Sequence, residues 1–250
     1  MDRSAKLYHD NTTLSKKTAE RYAASIDTAH AVSPRPFGLP FLPRIPLEQS
    51  TCRMRLDNAM ASRRSTRAFS DKAVSFKAVS ALFSTALGTG PRKDDGLVQR
   101  PYPSAGALYP VNCFLLARRV DKLHPGIYHI NGDARSLEIV RTYETRPSQL
   151  EEEIRTAVIS NPAVHRAAFF VLLTGDLEKV TAKYGERGYR FLLLEAGHIA
   201  QNLSLAAAPC RIDHVALGGF CETALEHLVG VHDYGHLALY LIAFGIAEGR

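Results

Sequence analysis

Residues 183–208, KYGERGYRFLLLEAGHIAQNLSLAAA, constrain the fold more than any other stretch of the chain. They contain no proline, and their three glycines fall within the first fifteen positions. From Phe191 onward the run is rich in Leu and Ala, which lose little on entering a helix. Apolar residues lie around most of the circumference, so the spacing predicts a long helix buried on several sides, in the core or at a subunit interface. A membrane span is excluded. Arg190, Glu195, His198, Gln201 and Asn202 interrupt the run, and charged groups at mid-bilayer are costly. Lys183 and Tyr184 stand at the mouth of this helix, two side chains able to move protons.

The chain has 250 residues and a net charge of +6. That is enough for one large domain, and the charge suits an anionic cofactor or an acidic peptide. The basic residues are scattered and not interleaved with aromatics, which argues against nucleic acid as a partner. Cys52, Cys113, Cys210 and Cys221 form no C-x-x-C pair, so a zinc knuckle or a thioredoxin-type site is excluded. They read as reduced, mostly buried thiols, and Cys113 and Cys221 as structural ones. MDRSAKLYHDNTTLSKK carries no apolar signal segment, and a cytoplasmic location is the expectation.

Residues 1–50 read as an N-terminal extension and 51–250 as the main domain. In the extension a short helix is expected, capped by Thr13 or Ser15. Five prolines follow between Pro34 and Pro46. They forbid helix and sheet interiors and predict an extended arm, lying across the surface or wrapping a partner subunit. Helix is predicted from Leu56, and again after Ser75, where Phe76, Val79, Leu82, Phe83 and Leu87 share a face until Gly88 and Gly90 stop it. Residues 148–160 and 223–230 also read as helical. Strands are expected at 111–120, 126–130, 137–143, 163–176, 211–220 and 237–246, giving five or six strands and five helices. No G-x-G-x-x-G opens a helix after a strand, and no G-x-x-x-x-G-K-[ST] occurs, so a Rossmann dinucleotide site and a P-loop are excluded.

Three segments carry candidate binding chemistry. Arg63-Arg64-Ser65-Thr66-Arg67 groups guanidiniums and hydroxyls that match phosphate geometry, although such a cluster is also what a solvated surface shows. Pro103-Ser104-Ala105-Gly106 opens PSAGALYP, where small residues let a flat ligand approach the backbone. Leu217-Gly218-Gly219 follows a predicted strand and offers a second bare stretch of backbone. Glu195-x-x-His198 has the spacing of a di-iron carboxylate ligand pair but occurs once, and reads as buried polar packing. His232 and His236 are four apart and would need a third ligand, so no metal is expected.

RRSTRAF, RPYPSAGALYP, HPGIYHI, KYGERGYRFLLLEAGHIAQNLSLAA and LGGF occur in this order. Together they resemble the FMN-dependent nitroreductase superfamily, and more closely its SagB-type dehydrogenase branch, the azoline oxidases of ribosomal-peptide biosynthesis. YHDNTTL and RIPL are similar to that branch too. The resemblance implies an α+β fold: a nitroreductase-like three-layer α/β/α sandwich with a mixed, mostly antiparallel sheet, as an obligate homodimer with FMN at the subunit interface. It implies that Arg63, Arg64, Ser65 and Arg67 hold the FMN phosphate and ribityl chain. It implies that Pro103, Ser104, Ala105 and Gly106 form the second flavin segment, and that Leu217, Gly218 and Gly219 lie along the isoalloxazine. Arg250 matches a C-terminal basic residue that in related nitroreductases meets the phosphate, usually from the other subunit. Lys183 and Tyr184 match the catalytic pair of azoline dehydrogenases.

The implied reaction is oxidation of thiazoline or oxazoline rings to azoles, with a hydride passing to flavin N5 and oxygen as final acceptor. A lysine whose charged form burial disfavours can take the accompanying proton, with the tyrosine orienting or relaying it. The implied partners are an azoline-containing precursor peptide, a cyclodehydratase, or a substrate held on a carrier protein. Two other readings keep the same residues: an NAD(P)H-dependent flavin reductase of nitro, quinone or dehydroamino-acid substrates, and a flavin-free scaffold that binds a peptide or a cyclodehydratase.

Overall fold

Ser15 starts a helix by a reciprocal cap: its Oγ accepts from Thr18 N at 3.2 Å, and Thr18 Oγ1 accepts from Ser15 N at 2.9 Å. The computed structural model describes residues 4–28, 39–90, 99–159 and 164–250. Pro34, Pro36, the 91–98 segment ahead of PSAG and residues 160–163 therefore lie outside the described residues. Among the described residues there are eight α-helices and seven strands, more than the sequence predicts. The extension forms α1 (Ser4–Asn11) and α2 (Lys16–Thr28), and the described end of the proline arm forms β1 (Arg44–Pro46). Then come α3 (Leu56–Ser62), α4 (Phe76–Leu87), β2 (Val111–Ala117), β3 (Gly126–Asn131), β4 (Ser136–Thr142) and α5 (Pro147–Ala157). The chain continues with β5 (Phe169–Asp176), α6 (Leu177–Tyr184), α7 (Gly188–Ala207), β6 (Asp213–Leu217), α8 (Glu222–Val229) and β7 (His236–Gly245).

The strands form one sheet in the order β1-β4-β3-β2-β5-β7-β6, and every pairing between them is antiparallel. Parallel pairing is confined to isolated bridges, Ser65 to His214 and Val74 to Val120. β2 is buried at every position and β5 at all but its last, because helices cover both faces of the sheet. On one face α4 and α7 pack with Leu115, Phe169, Val171 and Phe244. On the other, α5 and α8 pack with Phe114, Phe170, Leu172 and Leu241. This is the three-layer α+β sandwich.

The described end of the proline arm meets the sheet at its edge, where a missing amide costs nothing. β1 pairs with β4, and the buried Glu138 of β4 ties it down. Glu138 accepts from Leu39 N at 2.9 Å, His129 Nδ1 at 2.8 Å and Asn131 Nδ2 at 2.8 Å, and pairs with Arg44 at 3.0 Å. Burial pushes this carboxyl up, but hydrogen bonds from His129, Leu39 N and Asn131 outweigh it and hold it at about 2.

The long helix departs from expectation in three ways. Gly185, at φ +55°, interrupts it, so Lys183 and Tyr184 end the separate helix α6 and do not begin α7. α7 buries Leu192, Glu195, Ala196, Ile199 and Leu203 on one side. It leaves Leu193, Leu194, Gly197, His198 and Gln201 exposed on the other. Glu195 is thus buried as expected, at the edge of the buried stripe, but His198, about 60° further round from that stripe, is not. Cys221 is also exposed, on the residue that precedes α8, and His232 and His236 lie in a 3-10 turn and at the start of β7, sharing no helix. The N-terminal extension docks on the start of α7: Arg190 donates to Thr12 Oγ1 at 2.6 Å and to His9 O at 2.8 Å, and Tyr8 packs edge-on against Tyr189.

Candidate functional site

Helix α3 ends at Ser62, and the next residues run alongside β6, where Thr66 N donates to His214 O at 2.9 Å. That pairing opens a cleft of about 320 Å3 lined by Ser62, Arg63, Arg64, Arg211, His214 and Arg250, together with Met54, Ala208, Ile212 and Asp213. Four guanidiniums face one carboxylate. Arg250 pairs with Asp213 at 3.0 Å, while Arg63, Arg64 and Arg211 have no acidic partner among the described residues. Arg64 donates to the carbonyls of Ala61 and Arg63, both at 2.8 Å. Burial, followed by the neighbouring Arg63, holds the His214 imidazole below its ordinary range, so it adds a neutral donor or acceptor and no charge. Uncompensated arginine forks beside exposed Ser65 are the chemistry of a phosphate monoester site. Arg67 is exposed and does not line the cleft, and Arg250 joins the arginines of its own chain. Arg211, four residues after the long helix, belongs to no motif and would be found from sequence only by knowing where α7 ends.

The second cluster is built on a strained turn. Gly106, Ala107 and Tyr109 all have positive φ, at +59°, +54° and +49°. The last two are unusual for residues with a side chain. Ser104 Oγ holds the turn from inside by accepting from Tyr109 N at 2.9 Å, and its hydroxyl donates to the Glu195 carboxylate. Ser104 is therefore committed to the fold and is not the open ligand donor that its position in the motif implies. Pro103 and Gly106 are exposed and Ala105 is half-buried, which leaves backbone open to solvent on one side. On that turn converge Lys183 and Tyr184. A Cβ placed on Gly106 would stand 2.5 Å from Tyr184 Oη and 2.9 Å from Lys183 Nζ. Lys183 is half-buried, with its Nζ 5.7 Å from the Tyr184 ring centroid. Burial pushes the Tyr184 phenol up, so it is a hydrogen-bond donor at neutral pH. Tyr184 also packs edge-on against Phe191, which fixes it at the start of α7.

β6 leads from the arginine cleft to the third segment. It begins at Asp213 and His214, leaves Ala216 and Gly218 exposed on the face that His214 shares, and ends at buried Leu217 and the glycine pair. At about 3.4 Å per residue, His214 to Gly218 spans roughly 14 Å. Gly218 has open space where a side chain would be, whereas a Cβ on Gly219 would stand 2.5 Å from Ile159 O. So Arg63, Arg64 and Arg250 lie at one end of an open strip and Gly218 at the other. The Lys183–Tyr184–Gly106 cluster lies elsewhere. It sits at the N-terminal end of α7, and Ala208 and Arg211 of the cleft follow the C-terminal end. A 20-residue helix is about 30 Å long, so one chain keeps the two clusters apart. Among the described residues no helix is long and apolar enough to cross a membrane.

Known proteins share this chain's family and fold. The model of the nitroreductase family matches residues 60–246. A Methanocaldococcus jannaschii protein named among the nitroreductases is 25% identical over 181 residues, covering 72% of this chain and 87% of its own. The microcin B17-processing protein McbC of Escherichia coli is 31% identical over 134 residues, 52% of this chain and 48% of McbC, so the match spans about half of that relative. A crystal structure from Anabaena variabilis, titled as a nitroreductase, superposes with TM-score 0.69 at 25% identity over 84% of this chain and only 42% of that one. A chain of the E. coli microcin synthetase McbBCD complex with truncated pro-MccB17 bound superposes with TM-score 0.65 at 23% identity over 99% of this chain and 95% of its own, a likeness of fold.

Proposed function

The chain belongs to the nitroreductase family, and from that footing we propose that it is an FMN-dependent dehydrogenase of the SagB-type branch, oxidising azoline rings in a peptide to azoles. The observation that carries this reading is the convergence of Lys183 Nζ and Tyr184 Oη on Gly106, which puts an amine and a phenol at one exposed backbone turn. The likeness to McbC, a microcin-processing protein, supports a peptide substrate, and the likeness of fold to a chain of the McbBCD complex supports a cyclodehydratase as the partner that presents it.

The residues present fit FMN. Arg63, Arg64, Arg211 and Arg250 would hold the phosphate, with Ser65 beside them. The open backbone at Gly218 and at Pro103, Ser104, Ala105 and Gly106 would accept a planar ring. When bound, FMN supplies a two-electron acceptor. Making an azole from an azoline removes two hydrogens, one with the electron pair and one as a proton. Lys183 Nζ takes up the proton from the ring carbon, and Tyr184 Oη steadies the amine or passes the proton outward.

The placement of the arginine cleft beyond the C-terminal end of α7, with the Lys183–Tyr184 cluster toward its N-terminal end, supports a homodimer whose site is shared, one copy giving the arginines and the other the proton-moving pair. The exposed Leu193 and Leu194 of α7, with Leu56 and Met60 of α3, give such a dimer apolar surface to bury. The test is the visible spectrum of the purified protein followed by incubation with an azoline peptide. Flavin bands and conversion to azole are expected. A colourless protein that takes up no FMN, or a yellow one that only reduces nitroaromatics with NADPH, overturns the reading.

A further inference from the structure

A carboxylate in the middle of an apolar helix face costs free energy unless its oxygens are used. Glu195 is 2% exposed, and both groups that hydrogen-bond its carboxylate lie on the same turn. Val111 N, where the turn enters β2, donates to Glu195 Oε1 at 3.4 Å, and the Ser104 hydroxyl, where the turn begins, donates to the same carboxylate. Between these points lie Gly106 and the strained Ala107 and Tyr109. Strained backbone of this kind persists only where its surroundings over-determine it. Here Ser104 Oγ, itself held by Glu195, accepts the Tyr109 amide. We propose that Glu195 is a positioning residue: its carboxylate clasps both ends of the 104–111 turn, holding Gly106 against Lys183 and Tyr184, and protonation loosens the clasp. The proposal rests on the reading of Lys183 and Tyr184 as the reactive pair.

The groups facing Glu195 come from each element around it. Arg100 approaches from the segment before the turn, bonded to Asp133 at 2.9 Å and lying over the Tyr109 ring. Lys179 approaches from α6, one helical turn before Lys183. Tyr102 and the buried Cys113 thiol of β2 complete the surround. Burial pushes the Glu195 carboxyl up, against Ser104, Val111 N, Arg100 and Lys179, and it settles at about 7. An ionised carboxylate accepts from both ends of the turn. A protonated one has an acceptor site fewer and a proton of its own to place. The linkage has a definite sign. A carboxyl raised in the folded state favours folding below its ordinary range, and that contribution is lost as pH rises through about 7. Ionised Glu195 thus aligns the turn at the expense of stability, as groups kept for function often do.

The test follows amide exchange of residues 104–111 in the whole protein between about pH 6 and pH 8, corrected for the intrinsic pH dependence. Wild type is expected to gain protection at Tyr109 and Val111 as Glu195 ionises, and Glu195→Gln to show no such gain. Glu195→Gln should also melt higher than wild type at the alkaline end and match it near pH 5. At saturating FMN its azoline turnover should fall roughly tenfold to a hundredfold with the pH profile flattened. Wild-type protection that does not change with pH, or a Glu195→Gln variant with wild-type turnover and profile, overturns the clasp. A wild type that shows the exchange signature yet oxidises no azoline supports the clasp and overturns the reactive-pair reading instead.

Discussion

Gly106 lies so close to Tyr184 that a single methyl on its Cα would stand 2.5 Å from the phenol oxygen, and 2.9 Å from Lys183 Nζ as well. Its φ of +59° adds a second reason for glycine. Both obstructing atoms are ends of movable side chains, so Gly106→Ala should fold, losing about 1 kcal/mol of stability to the left-handed backbone. What it must do is push the amine and phenol away from the turn. Turnover on an azoline peptide, measured at saturating FMN, should drop by roughly a hundredfold. Near-normal turnover would mean that the pair does not act at this turn.

A site shared between two copies makes a sharper demand. Arg63→Ala and Lys183→Ala should each be inactive as homodimers. Co-expressed with different tags and purified as the mixed dimer, they should regain activity, because one of the two sites then combines an intact Arg63 with an intact Lys183. If each site lay within one chain, no pairing of the two variants would restore it.

Arg211 has no acidic partner among the described residues and lines the cleft with Arg63 and Arg64. Arg211→Ala should weaken FMN binding about tenfold or more, the usual scale for a hydrogen bond to a charged group. The loss should shrink as salt is added. Fluorescence titration of the apoprotein checks this, and an unchanged affinity would move the phosphate elsewhere.

Glu138 fastens the edge strand that carries the proline arm. Its carboxyl is held at about 2 against an ordinary 4.5, so its contribution is present above the ordinary value and lost as pH falls toward 2. The full effect is about 3 kcal/mol. Thermal melts from neutral to acid pH should show wild type losing stability faster than Glu138→Gln. Parallel curves would remove Glu138 from the acid response.

Much of this was legible in the sequence, and the gaps have physical causes. Unbroken apolar runs announced β2 and β5, and the spacing of Phe76, Val79, Leu82, Phe83 and Leu87 announced α4, because burial leaves a period in the sequence. β1 was hidden by its prolines, which an edge tolerates and a sheet interior does not. The break at Gly185 was hidden by the helical content on both sides of it: one glycine in the left-handed region redirects the chain without changing its composition. Arg63, Arg64 and Arg250 share a cleft although 186 and more residues separate the last from the others, a pairing made by β6 and β7 and by no local signal. Ser104 was legible as part of a site but not its commitment to Glu195, since a buried carboxylate on an apolar helix shows its purpose only when its neighbours are known.

The most direct measurement of the central claim is the mass of an azoline-containing peptide incubated with FMN-loaded wild type or with Lys183→Ala. Wild type should remove two hydrogens from each ring it oxidises, and Lys183→Ala should stay yellow and leave the peptide's mass unchanged. A Lys183→Ala protein that oxidises the rings as fast as wild type would contradict the account.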